Sequence, residues 1–155
     1  MELDCQTKNV KETKKIGFLL AKEILGQKKG KSAKVIALQG ALGGGKTAFV
    51  QGFAVGLGIR AKILSPTFII ERAFPIKKSK YKHFHHFDCY RVRNSKEILR
   101  LGFKNILASS ENIIVVEWAE RVSKILPKNS IRIKFGHVDK SKREIKIIWP
   151  EIKKS

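Results

Sequence analysis

The stretch that decides the fold is Gln39–Thr47, QGALGGGKT, which directly follows the apolar run Val35–Leu38. It fits the pattern G-x-x-x-x-G-K-[ST] of phosphate-binding loops. Such a loop works between a strand and the first turn of a helix. The flanking residues offer both, because the apolar run precedes the loop and the helical segment Lys46–Leu57 follows it. The sequence therefore predicts a strand, a phosphate-binding loop and a helix, in that order.

The residue types of this loop suit a nucleotide and its metal ion. Gly43, Gly44 and Gly45 can take positive φ, which lets backbone N–H groups turn towards phosphate oxygens. The N-terminus of the following helix adds its partial positive charge. We expect Lys46 to bind the β- and γ-phosphate oxygens and the Thr47 hydroxyl to bind Mg²⁺. The alternative is a glycine-rich turn before an ordinary helix.

Two acidic residues stand at the ends of further predicted strands. A phosphate-binding loop needs an acid on a neighbouring strand to hold the metal ion or its hydration shell. Glu117 follows the apolar run Ile113–Val116, the pattern of a central parallel strand buried on both faces. Asp88 ends another strand-like segment, HHFDCYR. We interpret Glu117 as the better metal-ligand candidate and Asp88 as a second catalytic acid; the alternative for each is a solvated carboxylate.

Two other groups of residues lie near these motifs in the sequence. Ser65–Phe68, SPTF, follows the predicted helix, where nucleotide hydrolases have switch segments, so Thr67 is a candidate ligand of Mg²⁺ or the γ-phosphate. His83, His85 and His86 precede Asp88, but no cysteine or further carboxylate completes a metal-site pattern. We interpret the histidines as alternating strand residues with satisfied rings.

The order of the predicted elements gives the fold class. Ile16, Leu19, Leu20, Ile24 and Leu25 form one apolar stripe along a helix over 13–25. Residues 94–107 are helical, and the segments 130–138 and 143–149 alternate as half-solvated antiparallel strands do. We therefore expect one α/β domain over residues 1–155, with a mixed sheet that is parallel at its centre and antiparallel at its flanks.

Composition limits the partners and the compartment. The formal net charge of +20 would attract polyanions, and the alternative is a lysine-rich solvated surface. Cys5 and Cys89 lie far apart without metal-ligand spacing, which is typical of free thiols in a reducing compartment. No apolar run is long enough to span a bilayer, and the N-terminal residues lack a signal-peptide core. We expect a cytoplasmic protein.

Four segments in this order and at these separations, GALGGGKT, SPTF, HHFDCYR and VVEWAER, closely resemble the bacterial TsaE (YjeE) family. The resemblance covers about residues 10–135. It implies a small P-loop ATPase required to make threonylcarbamoyladenosine in tRNA. It also implies that the ATPase works with a heterodimer of TsaB and TsaD, in which TsaD carries the transfer, and that hydrolysis resets this machine between turnovers.

The resemblance also implies roles for individual residues. ATP would be bound by the loop residues Gly43–Thr47, and Mg²⁺ by Thr47 and Glu117. Asp88 would support the γ-phosphate or the hydration shell of the metal ion. Ser65–Phe68 would be the switch-like segment, Trp118 an aromatic residue beside the active site, and Thr13 a contact at the base end of the nucleotide.

The sequence departs from the family pattern at three places. Ala48 stands where the family commonly has a second threonine, so we expect the nucleotide to be bound without one hydroxyl near the α-phosphate. Phe103, Lys104 and Asn105 replace the acids that usually follow Leu-Gly, which affects any partner contact there. The residues before Thr13 are polar and predict at most a weak N-terminal strand.

Two other functions fit parts of the sequence. A small-molecule kinase would use the same loop, but the arginines form no cluster typical of a lid. A basic RNA-binding module that senses nucleotide would use the charge, yet the aromatic residues mostly fall at core-like positions. No Asn-Lys-x-Asp motif for guanine is present, which favours ATP, and no arginine finger can be named, so hydrolysis is expected to be slow.

Overall fold

The computed structural model describes residues 1–40, 45–63 and 70–150. Within these ranges seven strands form a single sheet. The strands are β1 (Glu2–Thr7), β2 (Lys34–Gly40), β3 (Glu71–Pro75), β4 (His83–Asp88), β5 (Asn112–Glu117), β6 (Ile131–His137) and β7 (Arg143–Ile148). The helices are α1 (Val10–Gly26), α2 (Lys46–Gly56), α3 (Ser95–Leu99), α4 (Phe103–Ala108) and a 3₁₀ helix (Ala119–Ile125).

The strand order across the sheet is β1-β7-β6-β2-β5-β4-β3. The four central strands β6, β2, β5 and β4 are parallel, while β7, β1 and β3 pair antiparallel with their neighbours. The predicted fold class, a mixed sheet with a parallel centre and antiparallel flanks, is therefore confirmed. The carboxyl ends of β2, β4 and β5 meet at one edge of the sheet, where ligands of open α/β sheets bind.

The N-terminal strand is stronger than the sequence predicts. β1 pairs with β7 along its whole length, from Glu2 opposite Ile148 to Thr7 opposite Arg143. The prediction of a weak strand rested on polar side chains, but antiparallel pairing uses the backbone groups that every residue carries. The alternating residue Cys5 still packs against the core beside α1.

Helices cover both faces of the sheet, so that two apolar cores result. α1 and α2 cover one face, and α3, α4 and the 3₁₀ helix cover the other. All six residues of β5 are buried, with Ile113 and Val115 in the first core and Ile114 and Val116 in the second. This confirms the prediction of a central strand buried on both faces.

The apolar stripe predicted for α1 is only partly correct. Leu20 and Ile24 are buried, but Leu19 is 51% exposed. The buried face also contains small residues, among them Gly17 and Ala21. The reason is that α1 packs closely against α2 through these small residues, and helices approach most closely where side chains are smallest.

The segment predicted as one helix over 94–107 consists of two. Asn94 caps α3 as expected, since its Oδ1 accepts a hydrogen bond of 3.0 Å from the backbone N–H of Lys96. Gly102, with φ of 82°, then interrupts the helical conformation directly before α4. No helix in the described parts of the chain combines the length and apolar character needed to cross a membrane.

Candidate nucleotide site

The phosphate-binding motif lies between β2 and α2, as the sequence predicts. Gly45 directly precedes α2 with φ of 100°, and Gly40 ends β2 with φ of 138°. A Cβ on Gly40 would overlap the carbonyl oxygen of Phe135, so glycine is required there for two independent reasons. Gly43 and Gly44 lie outside the described residues, and their roles stay predictions.

Lys46 begins α2 with its side chain turned back over the end of β2. The residue is only 6% exposed. Its Nζ donates a hydrogen bond of 2.5 Å to the carbonyl oxygen of Gly40 and lies 3.9 Å from the centroid of the Trp118 ring. Burial lowers the pKa of Lys46, and the charges of Glu120, Glu117 and Asp88 oppose that change. The ammonium group of this buried lysine therefore lies beside the end of β2, where the phosphate-binding motif begins.

Asp88 and Glu117 stand side by side at the carboxyl ends of adjacent parallel strands. They are paired in register, and both are buried, at 8% and 2% exposure. Alternation along each strand turns both side chains towards the face that α2 covers, because Phe84 and Val115 on the same strands belong to that core. Two buried carboxylates beside a lysine are a donor set that suits a hard divalent cation.

The environment of Asp88 disfavours its charge. Burial raises the pKa of this carboxyl and Glu117 raises it further, while the backbone N–H of Tyr90, which donates to Oδ1 at 3.0 Å, and the charges of His86 and Lys46 lower it. The carboxyl pair therefore lacks part of the positive charge that would balance it, and a bound cation would supply that charge.

His86 belongs to the site, although the sequence pattern predicts only a structural role for it. The side chain is 1% exposed, and its Nε2 lies 2.6 Å from Oε2 of Glu117. Because an ionised carboxylate only accepts, Nε2 is the donor. The prediction of satisfied rings is correct for His85, whose Nδ1 lies 2.9 Å from Glu71 Oε1, and wrong for His86, whose buried Nδ1 has no hydrogen-bond partner among the described residues.

A signal for His86 was available in the sequence. His86 precedes Asp88 by two residues on a strand, and residues two apart share a face. The histidine therefore had to point to the same side as the acid. What the pattern could not give is the neighbour on β5, because the register between the two strands is a tertiary feature.

Trp118 forms an aromatic wall beside Lys46. Its backbone takes the left-handed conformation, with φ of 57°, directly after Glu117. The rings of Trp118 and Tyr90 lie 5.2 Å apart, and the guanidinium of Arg121 lies 5.3 Å from the first ring and 5.6 Å from the second. Neither Tyr90 nor Arg121 was assigned a role from the sequence, although both lie inside the motif segments HHFDCYR and VVEWAER.

Thr13 lies where α1 approaches the loop. A Cβ on Gly45 would be 3.3 Å from Thr13 Cγ2, and Thr13 itself is buried. Its hydroxyl is 2.7 Å from the hydroxyl of Thr7, a neighbour that no motif in the sequence indicates. The structure therefore brings Thr13 beside the phosphate-binding motif, while its role towards the base stays a prediction.

The remaining predicted residues divide into two groups. Thr47 and Ala48 occupy the first turn of α2 and are half-buried, next to Lys46. Thr67 and the rest of Ser65–Phe68 lie outside the described residues. Lys46, Thr47, Asp88 and Glu117 thus stand at one edge of the sheet, as the sequence predicts, and the switch-like segment stays a prediction.

The donor set fits Mg²⁺ better than a metal held by protein alone. Within residues 1–40, 45–63 and 70–150, no group of three or more His, Cys, Asp or Glu side chains is arranged to hold a metal ion. Mg²⁺ usually keeps several waters and binds one or two protein oxygens together with substrate phosphates. Thr47 and Glu117 would be enough for that kind of coordination.

Asp88→Asn is expected to raise the melting temperature in metal-free buffer at pH 7 by a few degrees. The pKa of Asp88 is higher in the folded state than in the unfolded chain, so stability is lost as the pH rises through the raised pKa. Asparagine keeps the acceptor for Tyr90 and removes the charge. Thermal melts at pH 3.5 and 7 check this, because the gain should disappear at the acidic pH.

Asp139→Asn is the matched control. Hydrogen bonds from the backbone N–H groups of Lys142 and Ser141 lower the pKa of this exposed carboxyl, so its contribution has the opposite sign. We expect no gain in melting temperature for this variant at pH 7. An equal gain for both variants would show that the removal of one carboxylate charge, and not relief of the buried pair, is responsible.

A family profile matches most of this chain. The profile described as "Threonylcarbamoyl adenosine biosynthesis protein TsaE" matches residues 7–145. The chain belongs to the TsaE family. The predicted family resemblance is confirmed, and the match extends somewhat beyond the 10–135 that the motifs suggest.

Individual TsaE proteins agree with the profile. The "tRNA threonylcarbamoyladenosine biosynthesis protein TsaE" of Treponema pallidum is 30% identical over 143 residues, which cover 92% of this chain and 98% of the relative. The protein of the same name from Bacillus subtilis is 33% identical over 144 residues, covering 93% and 84%. The chain therefore spans most of the length of these TsaE relatives.

A solved structure, described as "Crystal structure of Bacillus subtilus YdiB", superimposes with a TM-score of 0.72 at 30% identity. The match covers 95% of this chain and 84% of the other. The mixed seven-stranded sheet is thus the P-loop NTPase fold shared with this neighbour. In this TsaE family member, Ala48 follows the P-loop threonine, and its effect on nucleotide affinity stays a prediction.

Proposed function

We propose that this protein is a Mg²⁺-dependent ATPase that binds ATP, hydrolyses it slowly and acts in the threonylcarbamoyladenosine modification of tRNA. The observation that carries the proposal is the group of Lys46, Asp88 and Glu117 at one edge of the sheet, around the end of β2. Family membership supports the tRNA pathway, because the relatives carry its name. The TsaB–TsaD pair is proposed as the partner from the family resemblance.

The residues of the site would have separate roles in binding ATP and Mg²⁺ and in hydrolysis. Lys46 would exchange its contacts with the Gly40 carbonyl and the Trp118 ring for phosphate oxygens, which are better partners for an ammonium group. Glu117, held by His86, and Thr47 would hold Mg²⁺, which neutralises charge on the phosphates. Asp88 would orient the attacking water or the metal's hydration shell from the adjacent strand.

The surroundings of Arg121 support the expectation of slow hydrolysis. An arginine that speeds phosphoryl transfer must reach the developing charge on the γ-phosphate. Arg121 instead lies over the rings of Trp118 and Tyr90, where cation–π attraction stabilises it. We expect faster turnover only when a partner changes this arrangement or supplies its own cation.

Reconstitution with TsaB, TsaD, tRNA and ATP tests the proposal. The wild-type protein is expected to sustain many rounds of modification, whereas Lys46→Ala should stop after about one round, because it cannot hold the phosphates. The control is Lys124→Ala, which removes an exposed lysine from the 3₁₀ helix. Equal multi-turnover yields with wild type and Lys46→Ala would disprove the proposed role of ATP.

Co-purification separates the partner from the activity. We expect the protein to associate with the TsaB–TsaD pair more strongly with ATP and Mg²⁺ than without nucleotide. An association that is equally strong with and without nucleotide would count against coupling between ATP binding and partner binding. It would not contradict the binding of ATP by the protein itself.

A further inference from the structure

A lysine-rich surface covers the edge of the sheet opposite the nucleotide site. The loops 27–33 and 76–82 contain seven lysines and no acidic residue, and all seven are exposed. The first loop leads into β2 and the second into β4, and both strands run parallel to β5. Both loops therefore lie at the amino ends of the parallel strands, and the phosphate-binding motif lies at their carboxyl ends.

Part of this surface is concave. A cavity of about 430 Å³ lies between the C-terminal ends of α1 and α2 and the loop 76–82. Four lysine side chains line it, and we call it the lysine cavity: Lys22, Lys77, Lys78 and Lys80. Like charges gathered around one cavity repel one another, and a bound anion would relieve that repulsion.

The lysines of the cavity have no acidic partner among the described residues. Lys22 and Lys80 lie near the aromatic rings of Phe18 and Tyr81, at 5.5 and 6.0 Å. The carbonyls at the end of α2 accept backbone hydrogen bonds, for example Ala54 from the N–H of Ile59. The ammonium groups are therefore not needed to cap that helix.

In the loop 76–82, a lysine occupies a backbone position that is strained for a residue with a side chain. Lys78 takes φ of 54°, a left-handed conformation that glycine or asparagine would adopt with less strain. A lysine nevertheless stands there, between Lys77 and Lys80 on the rim of the cavity. This choice of residue has no explanation in local stability, and it adds one more positive charge to the surface.

We propose that the lysine cavity and its two flanking loops bind the phosphate backbone of RNA. Lysine ammonium groups act as point charges for phosphate, whereas carboxylate recognition in protein interfaces favours arginine, which neither loop contains. The residues that contribute most to protein–protein binding are enriched in aromatic side chains, and Tyr81, the one aromatic residue of the two loops, is buried. The contact is therefore electrostatic and independent of base sequence.

The proposal does not depend on the nucleotide site. The two surfaces lie at opposite edges of one sheet, so RNA and ATP bind without competing. Lys46→Ala is accordingly expected to lose nucleotide binding and to keep RNA binding. This variant separates a failure of the ATPase proposal from a failure of the RNA proposal.

Filter binding of an unmodified tRNA transcript over a range of salt concentrations tests the proposal. The quadruple variant carries Lys22→Gln, Lys77→Gln, Lys78→Gln and Lys80→Gln. Its affinity at 0.1 M salt is expected to be weaker on the order of tenfold, with the slope of log K against log salt smaller by about 3. Thermal melts check that the variant is folded.

A second quadruple variant is matched in charge and is distributed over other exposed positions. It carries Lys11→Gln, Lys15→Gln, Lys104→Gln and Lys124→Gln. We expect its tRNA affinity to stay within about threefold of wild type, because it changes only the long-range field. Equal weakening by the two variants would overturn the proposal of a localised surface.

Two further results would also overturn it. The first is that the wild-type protein does not bind the transcript while the quadruple variant of the lysine cavity no longer associates with the TsaB–TsaD pair. This result would identify an acidic protein surface as the ligand. The second is displacement of the transcript by saturating ATP and Mg²⁺, which would place RNA at the nucleotide edge.

Discussion

Glu117→Gln is expected to lower the rate of ATP hydrolysis by about two orders of magnitude while the fold stays intact. The amide has the same shape as the carboxylate, and its oxygen can still accept the hydrogen bond from His86 Nε2. What the variant loses is the negative charge beside Asp88 that would hold Mg²⁺. The effect should therefore fall on metal-dependent chemistry and spare stability.

Two measurements separate this expectation from a structural defect. Calorimetry should show that Mg²⁺ strengthens ATP binding to the wild type and adds little to the variant, and single-turnover assays should show the loss of hydrolysis. Glu111→Gln, at an exposed position directly before β5, is the control and should behave as wild type. If Mg²⁺ strengthened ATP binding to Glu117→Gln as much as to Glu111→Gln, Glu117 would not be a metal ligand.

Gly52→Ala is expected to destabilise the protein by about 3 kcal/mol or more. Gly52 lies in the middle of α2, and a Cβ there would overlap the backbone carbonyl of Lys14 in α1. Backbone atoms cannot rotate away as a side chain can, so the two helices would have to separate. The residues packed around that contact, including Phe49 and Phe53, would lose close packing as a result.

Urea denaturation followed by circular dichroism measures this change, and the melting temperature should fall by about 10 °C. Gly26→Ala is the matched control. Gly26 is the last residue of α1, and no atom lies within 4 Å of where its Cβ would be. Alanine there should stabilise the helix by about 0.5–1 kcal/mol. Unchanged stability in Gly52→Ala would mean that α1 and α2 pack less closely than the structure indicates.

Most of the candidate nucleotide site could be predicted because its parts are local. The order of strand, glycine loop and helix is written in adjacent residues, so the position of Lys46 follows from the sequence alone. Asp88 and Glu117 each end a recognisable strand, and the carboxyl ends of parallel strands meet at one edge. The unbroken apolar run Ile113–Val116 in β5 also indicated that this strand is buried on both faces.

Other features could not be predicted, because they depend on which elements become neighbours. The sequence indicates that α1 has an apolar stripe, but not that α2 would contact it through Gly17 and Gly52 and leave Leu19 exposed. The partnership of His86 with Glu117 requires β4 to lie beside β5 in one register. Neither a glycine contact between helices nor the pairing of strands distant in the sequence produces a periodic hydrophobic pattern.

The sequence by itself determined the phosphate-binding loop, the two acids, the mixed sheet and a net charge of +20. Only the tertiary structure decided that His86 holds Glu117, that Trp118 covers Lys46, and that four lysines from α1 and a distant loop line one cavity. The physical reason is that charge and local pattern are properties of the chain. Burial, register and repulsion between like charges arise only when distant segments are packed together.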